Sequence, residues 1–205
     1  MRQGDFDSAM KFHLKALKQA EILDNKYAMA YTLNAIGGVI YIKGDLDLAM
    51  DYFTRSMEIK RELNDKRGII YAMNNFGWFY YFTCEYEKAL QFLEEGLNIK
   101  KILNHTLTDE NGLFIELITL LHLTKKKLDI EYNKQDYLKA INASHHQEYF
   151  ETNYIIYLFL KNKYYLETAY NQVQETANNL EPDVKLKFLS YPIPKAIVEE
   201  WEKVK

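Results

Sequence analysis

The chain has 205 residues, 48% of them hydrophobic and 27% charged, and its formal net charge is −3. This length suits one compact domain or one short array of repeats, and the negative charge argues against nucleic acid as a partner. With a single cysteine, Cys84, and no apolar run long enough to span a bilayer, we expect neither a disulfide framework nor a membrane partner, and we expect a cytoplasmic location.

The most informative pattern is a repeat with a period of 40 residues. Residues 4–10 return as residues 44–50 and, less faithfully, as residues 84–90, while residues 31–37 return as residues 71–77. A fixed period of this size predicts a solenoid of stacked helix pairs, because a single pair cannot bury its apolar face alone.

In chain order, the first predicted element is a helix that carries only the second half of a repeat. Its apolar and small residues recur at helical spacing, as Ala9, Phe12, His13, Ala16 and Leu17. The first helix of this repeat, which should precede it, is missing. The apolar stripe of residues 9–17 would therefore pack only against the helix that follows. The half repeat indicates either a fragment of a longer array or a bare end that meets a second copy, and it predicts self-association through the N-terminal helix.

The first complete helix pair is predicted over residues 25–42 and 46–63. Gly44 can end the first of these helices in a left-handed conformation, and Asp45 can cap the second. Lys60 lies at the end of the apolar stripe of the second helix, and we expect its side chain to extend outward to water.

The second complete pair is predicted over residues 66–82 and 86–103, with Cys84 as a small residue in the turn. The pattern then decays: a helix over residues 109–127 has Leu117 where the motif glycine stood, and lysines 125–127 suit a solvated helix end. Further helices are predicted near residues 135–144, 147–161 and 165–180, and a closing helix with Pro194 in its first turn runs to Val204. This tail is expected to cap the end of the stack.

The residues at fixed positions of both complete pairs are similar to those of the tetratricopeptide repeat. That family has a bulky apolar residue and an apolar–glycine pair in its first helix, and small residues in its second. The matching residues are Leu33, Ile36, Gly37, Ala49, Phe53 and Ser56, and then Met73, Phe76, Gly77, Ala89, Leu93 and Gly96.

The resemblance implies an all-α fold, a tetratricopeptide-type α-solenoid of antiparallel helix pairs. Residues 1–105 would form the array, as a half repeat plus two full repeats. Residues 106–205 would form degenerate helical repeats and a C-terminal cap, continuous with the array.

The first helices of the two complete pairs also carry a ladder of tyrosine and asparagine residues on the face that packing does not use. An asparagine amide both donates and accepts, so it can pair with the main chain of an extended peptide, and tyrosine rings supply rigid contact area. The resemblance implies that these helices line a concave groove that binds a peptide. The predicted peptide-binding groove consists of Tyr31, Asn34, Tyr41, Tyr71, Asn74, Trp78 and Tyr81.

Asn34 and Asn74 also permit a structural interpretation, in which their amides cap or bridge within the fold. Repeats duplicate structural residues as faithfully as functional ones, so the pattern leaves both interpretations open. In the third unit the corresponding positions are mostly apolar, and we expect the degenerate helices to cover them. These positions are Asn111, Phe114, Ile118 and Leu121.

The sequence contains little that indicates catalysis or metal binding. His145 and His146, with Glu148 and Glu151, make a weak metal pattern, because adjacent histidines point to different faces of a helix. His122 lies on an apolar stripe and is expected in the core. No phosphate-binding loop and no nucleophile elbow is present in the sequence. We therefore predict that the chain is not an enzyme and has no metal site and no cofactor.

The leading functional prediction is a protein–protein interaction module that binds a peptide or a partner helix in the concave groove. The alternative is a sensory or regulatory segment of a larger signalling protein, such as a cyclase, a kinase or a signalling ATPase. A loose resemblance of residues 166–201 to the ends of repeat arrays joined to such proteins supports this alternative.

Overall fold

The computed structural model describes residues 6–103, 113–143 and 149–205. Within these ranges the chain is built from helices, and no strand occurs. The helices are α1 (Phe6–Ile22), α2 (Lys26–Lys43), α3 (Leu46–Glu62), α4 (Lys66–Phe82), α5 (Tyr86–Ile102), α6 (Leu113–Lys127), α7 (Lys134–Ala143), α8 (Phe150–Leu160), α9 (Lys163–Asn178), α10 (Pro182–Ser190) and α11 (Pro192–Val204).

The turn between α2 and α3 is made by the residues that the sequence indicates. Gly44 has a φ of 92°, and its N–H donates to the carbonyl of Tyr41 at 2.9 Å. This left-handed conformation costs little without a Cβ and ends α2. The carboxylate of Asp45 accepts the N–H of Leu48 at 3.3 Å, which caps α3. Both predictions for this turn are confirmed.

The small residues of the repeat allow paired helices to approach closely. A Cβ added at Gly37 would lie 2.7 Å from the ring of Phe53, and one added at Gly77 would lie 2.3 Å from Cδ2 of Leu93. Such distances are shorter than side-chain carbons tolerate. Each glycine therefore makes room for the bulky residue of its partner helix, as the pattern predicts.

The chain forms two compact units. Unit 1 comprises Met1–Ala72 and Asn171–Lys205, and unit 2 comprises Met73–Tyr170. The predicted division into residues 1–105 and 106–205 marks where recognisable repeats end, and the two compact units follow a different division. The division by repeats stays a prediction.

In unit 1 the C-terminal helices pack against the N-terminal end of the array. The ring of Phe6 in α1 stacks on Phe188 of α10 at 6.1 Å and meets the edge of Tyr191 at 5.5 Å. The carboxylate of Asp7 lies 2.8 Å from Nζ of Lys43 and 2.5 Å from Nζ of Lys187. The tail was expected to cover the end of the stack; within unit 1 the surface that it covers belongs to α1 and α2.

Helix α10 is an element that the sequence analysis did not predict. It has nine residues, begins at Pro182 and is followed directly by α11, which begins at Pro192. Proline suits the first turn of a helix because its missing N–H would have no partner there. A helix this short completes too few turns to show a clear apolar period, which explains why it was missed. The closing helix α11 is confirmed.

In unit 2, α6 replaces the motif glycine with a larger residue, and the packing changes accordingly. A Cβ added at Gly96 in α5 would lie 2.9 Å from Cδ1 of Leu117 and 3.1 Å from Cβ of Met73. The small residue is therefore supplied by α5, and Leu117 fills the space above it. The expectation that packing differs at Leu117 is confirmed. Residues 109–112, where this helix was predicted to begin, lie outside the described residues.

Candidate functional site

Three of the predicted groove residues lie along one face of α2 in unit 1. Tyr31, Asn34 and Tyr41 are three and seven residues apart, close to one and two helical turns, and each is half-buried. Burial raises the pKa of Tyr41 above its ordinary value, so this residue is a neutral phenol at physiological pH. Tyr71 on α4, also in unit 1, is half-buried as well.

Tyr31 and Asn34 are held by two charged side chains from neighbouring elements. The hydroxyl of Tyr31 donates to Oδ2 of Asp65 at 3.1 Å. Nζ of Lys60, from α3, donates to Oδ1 of Asn34 at 3.2 Å and lies 5.3 Å from the centre of the Tyr31 ring. We call Tyr31, Asn34, Lys60 and Asp65 the α2 cluster.

Asp65 connects the α2 cluster to the start of α4. Its Oδ1 accepts the backbone N–H of Gly68 at 2.9 Å, while its Oδ2 accepts the hydroxyl of Tyr31. The carboxylate of Asp65 thus caps α4 and orients a ring on α2. The pKa of Tyr31 is raised, first by burial and then by its hydrogen bond with Tyr27 and by the nearby Asp65 charge.

Lys60 does not extend to water, so the expectation for this residue is wrong. Its side chain is only 1% exposed. The amide oxygen of Asn34 and the ring face of Tyr31 give the ammonium group partners inside the fold, which outward extension would forfeit. Burial lowers the pKa of Lys60 to about 8, and the charge of Asp65 partly opposes this shift.

The other predicted groove residues, Asn74, Trp78 and Tyr81, lie on the part of α4 that belongs to unit 2. They are 3%, 8% and 8% exposed, so the expectation that they face water is wrong for these three. Trp78 stacks on Phe82 at 5.1 Å, and Tyr81 meets the edge of Tyr86 at 5.6 Å. Burial is the first cause that raises the pKa of Tyr81 to about 12.

Asn74 bonds to a residue that the sequence analysis left unnoticed. Its Nδ2 donates to Oε2 of Glu116 on α6 at 3.0 Å, and the hydroxyl of Thr152 on α8 donates to Oε1 of the same carboxylate. Glu116 comes directly before Leu117, the residue at the motif-glycine position. This departure from the repeat pattern was the one feature of the sequence that could have drawn attention to Glu116. Both asparagines thus bridge within the fold, as their structural interpretation proposed, and their role toward a peptide stays a proposal.

The positions of the third unit that correspond to the groove residues were expected to be covered by the degenerate helices. The described ones among them are buried or half-buried. Ile118 and Leu121 are buried in α6, and Phe114 is half-buried with Nζ of Lys100 5.9 Å from its ring centre. Asn111 lies outside the described residues. His122 is buried, as expected, and its Nδ1 lies 2.7 Å from the carbonyl oxygen of Ile118.

The turn between α4 and α5 shows how Cys84 replaces glycine. Its φ is 63°, the left-handed conformation that Gly44 adopts at the equivalent point. The thiol is exposed and accepts the hydroxyl of Tyr86 at 3.4 Å. Cys84 is therefore a turn residue, as interpreted from the sequence. At the helix end, Lys125 is half-buried and lies 3.0 Å from Glu94, while Lys126 and Lys127 are exposed.

Among the described residues, no group of three or more histidine, cysteine, aspartate or glutamate side chains is placed to hold a metal ion. The weak metal pattern at His145, His146 and Glu148 lies outside these residues. In the part of the chain that the structure describes, no helix combines the length and the apolar character that crossing a membrane requires.

Residues 28–102 match a family model described as Tetratricopeptide repeat. These residues form tetratricopeptide repeats. The matched range contains α2 to α5, the two complete helix pairs, so the predicted all-α fold of consecutively packed tetratricopeptide pairs is confirmed. No curated protein matches the sequence. Tetratricopeptide repeats are in general protein–protein interaction modules, and residues 28–102 belong to this type of module.

Proposed function

We propose that this chain binds a peptide or a partner helix along the face of α2, the first helix of its first complete tetratricopeptide pair. The observation that carries the proposal is the α2 cluster of unit 1. It places a tyrosine ring and an asparagine amide, both half-exposed, on one helical face. These are the side-chain types that provide rigid contact area and main-chain hydrogen bonds to an extended segment.

The α2 cluster is preorganised by its own hydrogen bonds. Lys60 holds the amide of Asn34 in one orientation, and Asp65 holds the hydroxyl of Tyr31. A partner that docks on side chains already locked in place loses less conformational entropy than one that must order them. These part-buried hydrogen bonds therefore support a binding role for Tyr31 and Asn34, the two residues that they orient.

The proposal is tested with a partner captured by pull-down and identified by mass spectrometry. Its affinity is then measured against purified variants of the full chain. Tyr31→Ala and Asn34→Ala are expected to weaken binding about tenfold or more, because centrally placed contact residues carry most of the binding energy. Tyr164→Ala is the matched control, since this tyrosine is 51% exposed but lies on α9.

The melting temperature of each variant separates binding from folding. An affinity loss with little change in melting temperature supports direct contact at the α2 face. Unchanged affinity for both α2 variants, or an equal loss for Tyr164→Ala, would overturn the proposal. The regulatory alternative, a segment of a cyclase, kinase or signalling ATPase, stays a prediction.

A second candidate function, self-association, is favoured by the exposure of α1. Ala9, His13 and Ala16 are only half-buried, whereas equivalent residues of α3 such as Phe53, at 2% exposed, are buried. Phe12 is 59% exposed on the same helix. We propose that a second copy covers this surface, because exposed apolar patches favour association.

Sedimentation of the full chain tests this second candidate. We expect a concentration-dependent dimer that Phe12→Ser abolishes. Leu186→Ser on α10 serves as the control, because Leu186 is a comparably exposed apolar residue on another helix. A monomer at high concentration in the unmodified chain would refute self-association.

A further inference from the structure

The face of α2 contains a glycine whose lack of a side chain the fold does not use. Gly37, one residue earlier, makes room for the ring of Phe53, since an added Cβ would lie 2.7 Å from that ring. A Cβ added at Gly38 would meet no atom of the described residues within 4 Å, and Gly38 is half-exposed. Glycine inside a helix is less favourable than alanine, because it loses more conformational freedom on folding. Gly38 therefore leaves open space on α2 that no neighbouring helix fills in the described part of the chain.

This open space lies on the same helical face as the predicted groove residues. Asn34 and Tyr41 are four residues before and three residues after Gly38, and side chains at these spacings are neighbours on a helix. Ala35 and Ile42, three residues before and four residues after, complete the surroundings. All four flanking residues are half-buried, so water reaches part of each. We call the space above Gly38 that these four residues flank the Gly38 notch.

The second complete pair shows what the same repeat position holds when it is filled. Trp78 lies 40 residues after Gly38, at the equivalent position of α4. Trp78 is 8% exposed and stacks on Phe82, four residues later, with the ring centres 5.1 Å apart. Ile42 is the counterpart of Phe82 in α2. The repeat therefore accommodates an indole at the position that stays empty in α2, and α2 retains an apolar residue on which such a ring can rest.

The Gly38 notch is lined by uncharged groups, which determines the kind of side chain that suits it. Ala35 and Ile42 are apolar, and Asn34 is a neutral amide. Burial raises the pKa of Tyr41 above its ordinary value, so its phenol is also neutral at physiological pH. A charged side chain would give up water there without gaining an opposite charge from the four flanking residues, which is unfavourable. An aromatic ring loses only apolar contact with water, and it can meet the ring of Tyr41 in an offset or edge contact.

We propose that the Gly38 notch receives an aromatic side chain of the bound partner. The proposal rests on the proposed function and names the side chain that the partner presents to the face of α2. The ring would occupy the space above Gly38 and rest on Ile42, as the indole rests on a ring in the second pair. The amide of Asn34 would pair with the main chain of the partner beside this aromatic residue.

The binding is tested by NMR on the full chain, with the backbone N–H of Gly38 and the side-chain amide of Asn34 as reporters. The probe is the capped peptide acetyl-Gly-Trp-Gly-amide, and acetyl-Gly-Ala-Gly-amide is the control ligand. We expect saturable shifts of both signals and an affinity for the tryptophan probe about tenfold or more above that for the alanine probe, because burying an aromatic ring removes much apolar surface from water. A probe with arginine in the middle position should bind no better than the alanine probe, since the notch offers it no opposite charge.

A variant that fills the notch from within the chain tests the position directly. Gly38→Trp places in α2 the residue type that α4 carries at the equivalent position. It is expected to lower the affinity for the tryptophan probe and for the captured partner about tenfold or more, because the space is then occupied. Leu186→Trp is the matched control, since it adds the same side chain at a position of α10 that is 71% exposed, and it should leave both affinities unchanged.

The melting temperature shows whether each variant folds. If Gly38→Trp does not fold, Gly38→Leu replaces it with the same expectation, because its smaller side chain also occupies the notch. The inference is overturned by the absence of saturable shifts with the tryptophan probe, by equal affinity for the alanine probe, or by equal or tighter binding of the arginine probe. Unchanged affinity for the tryptophan probe in the folded Gly38 variant would also overturn it, because the probe would then bind elsewhere on the surface.

The failure of this inference is distinguishable from failure of the proposed function. If the Gly38 variant leaves partner affinity unchanged while Tyr31→Ala still weakens it, the face of α2 binds the partner without an aromatic side chain in the notch. If the probe binds at the notch but neither Tyr31→Ala nor Asn34→Ala weakens the captured partner, the proposed function fails, while the affinity of the notch for aromatic groups stands.

Discussion

At the scale of single residues, the glycines of the repeat are defined by what their partner helices place against them. A Cβ at Gly77 would meet Leu93 at 2.3 Å, and Leu93 is fully buried and has no open space to move into. A Cβ at Gly38 would meet nothing within 4 Å. Gly77 occupies the same repeat position as Gly37, and Gly38 is the next residue after Gly37. Gly77 provides space for Leu93, whereas within the fold Gly38 only adds backbone freedom.

This contrast gives the first prediction. Gly77→Ala should lower the free energy of unfolding by about 1–3 kcal/mol, the usual effect of overpacking a core. Gly38→Ala should raise it by about 0.5–1 kcal/mol, because alanine restricts the unfolded chain and favours the helix. Urea denaturation of both variants measures the two effects. Equal effects of the same sign would contradict this account of Gly77.

At the scale of elements, the C-terminal helices depend on one buried ring. Phe188 in α10 is fully buried and stacks on Phe6 at the start of α1. The surrounding ion pairs of Asp7 with Lys43 and Lys187 are partly exposed to water, and ion pairs that water reaches contribute little. The aromatic contact, rather than the charges, should therefore hold α10 on α1.

The second prediction follows from this contact. Phe188→Ala should cost about 3–5 kcal/mol, the range for deleting a buried aromatic ring, and should speed hydrogen exchange at the start of α1. Leu186→Ala on the same helix, at 71% exposure, should change stability by less than about 0.5 kcal/mol. If slow exchange in α1 persists in Phe188→Ala, the two elements are stabilised independently.

At the scale of the whole molecule, the buried Lys60 and the half-buried Glu151 should shape the dependence of stability on pH. The folded pKa of Glu151 is raised from 4.5 to about 8, so the folded chain binds more protons than the unfolded chain between these values. Its contribution to stability is therefore lost as the pH rises from 4.5 to 8. The folded pKa of Lys60 is lowered from 10.5 to about 8, so the unfolded chain binds more protons between these values, and stability rises with pH there.

The third prediction is therefore that the combined contribution of Glu151 and Lys60 to the free energy of unfolding has a minimum near pH 8. Glu151→Gln should flatten the decline below pH 8, and Lys60→Met should flatten the rise between about pH 8 and 9, below the range around pH 10 in which phenols of the unfolded chain titrate. Urea denaturation across pH 5–10 gives the curves. Lys18→Met, an exposed control on α1, should leave both slopes unchanged.

The amino-acid pattern alone is enough to predict the helices of the two complete pairs, the turn at Gly44 and the small residues against which Phe53 and Leu93 pack. These features depend on contacts within a few residues or on a pattern that the repeat shows twice, so they are visible in a linear chain. The turn at Cys84 was visible for the same reason, whereas its left-handed backbone was not predicted.

Which polar groups meet depends on the packing of helices that are far apart in the chain. Lys60 reaches Asn34 from 26 residues away, Glu116 joins Asn74 from 42 residues away, and Asp7 pairs with Lys187 across 180 residues. A side chain of a given type is compatible with either water or the interior, and its surroundings decide between them. For this reason the sequence predicted the repeat, whereas packing determined which members of its polar ladder are exposed and which are buried.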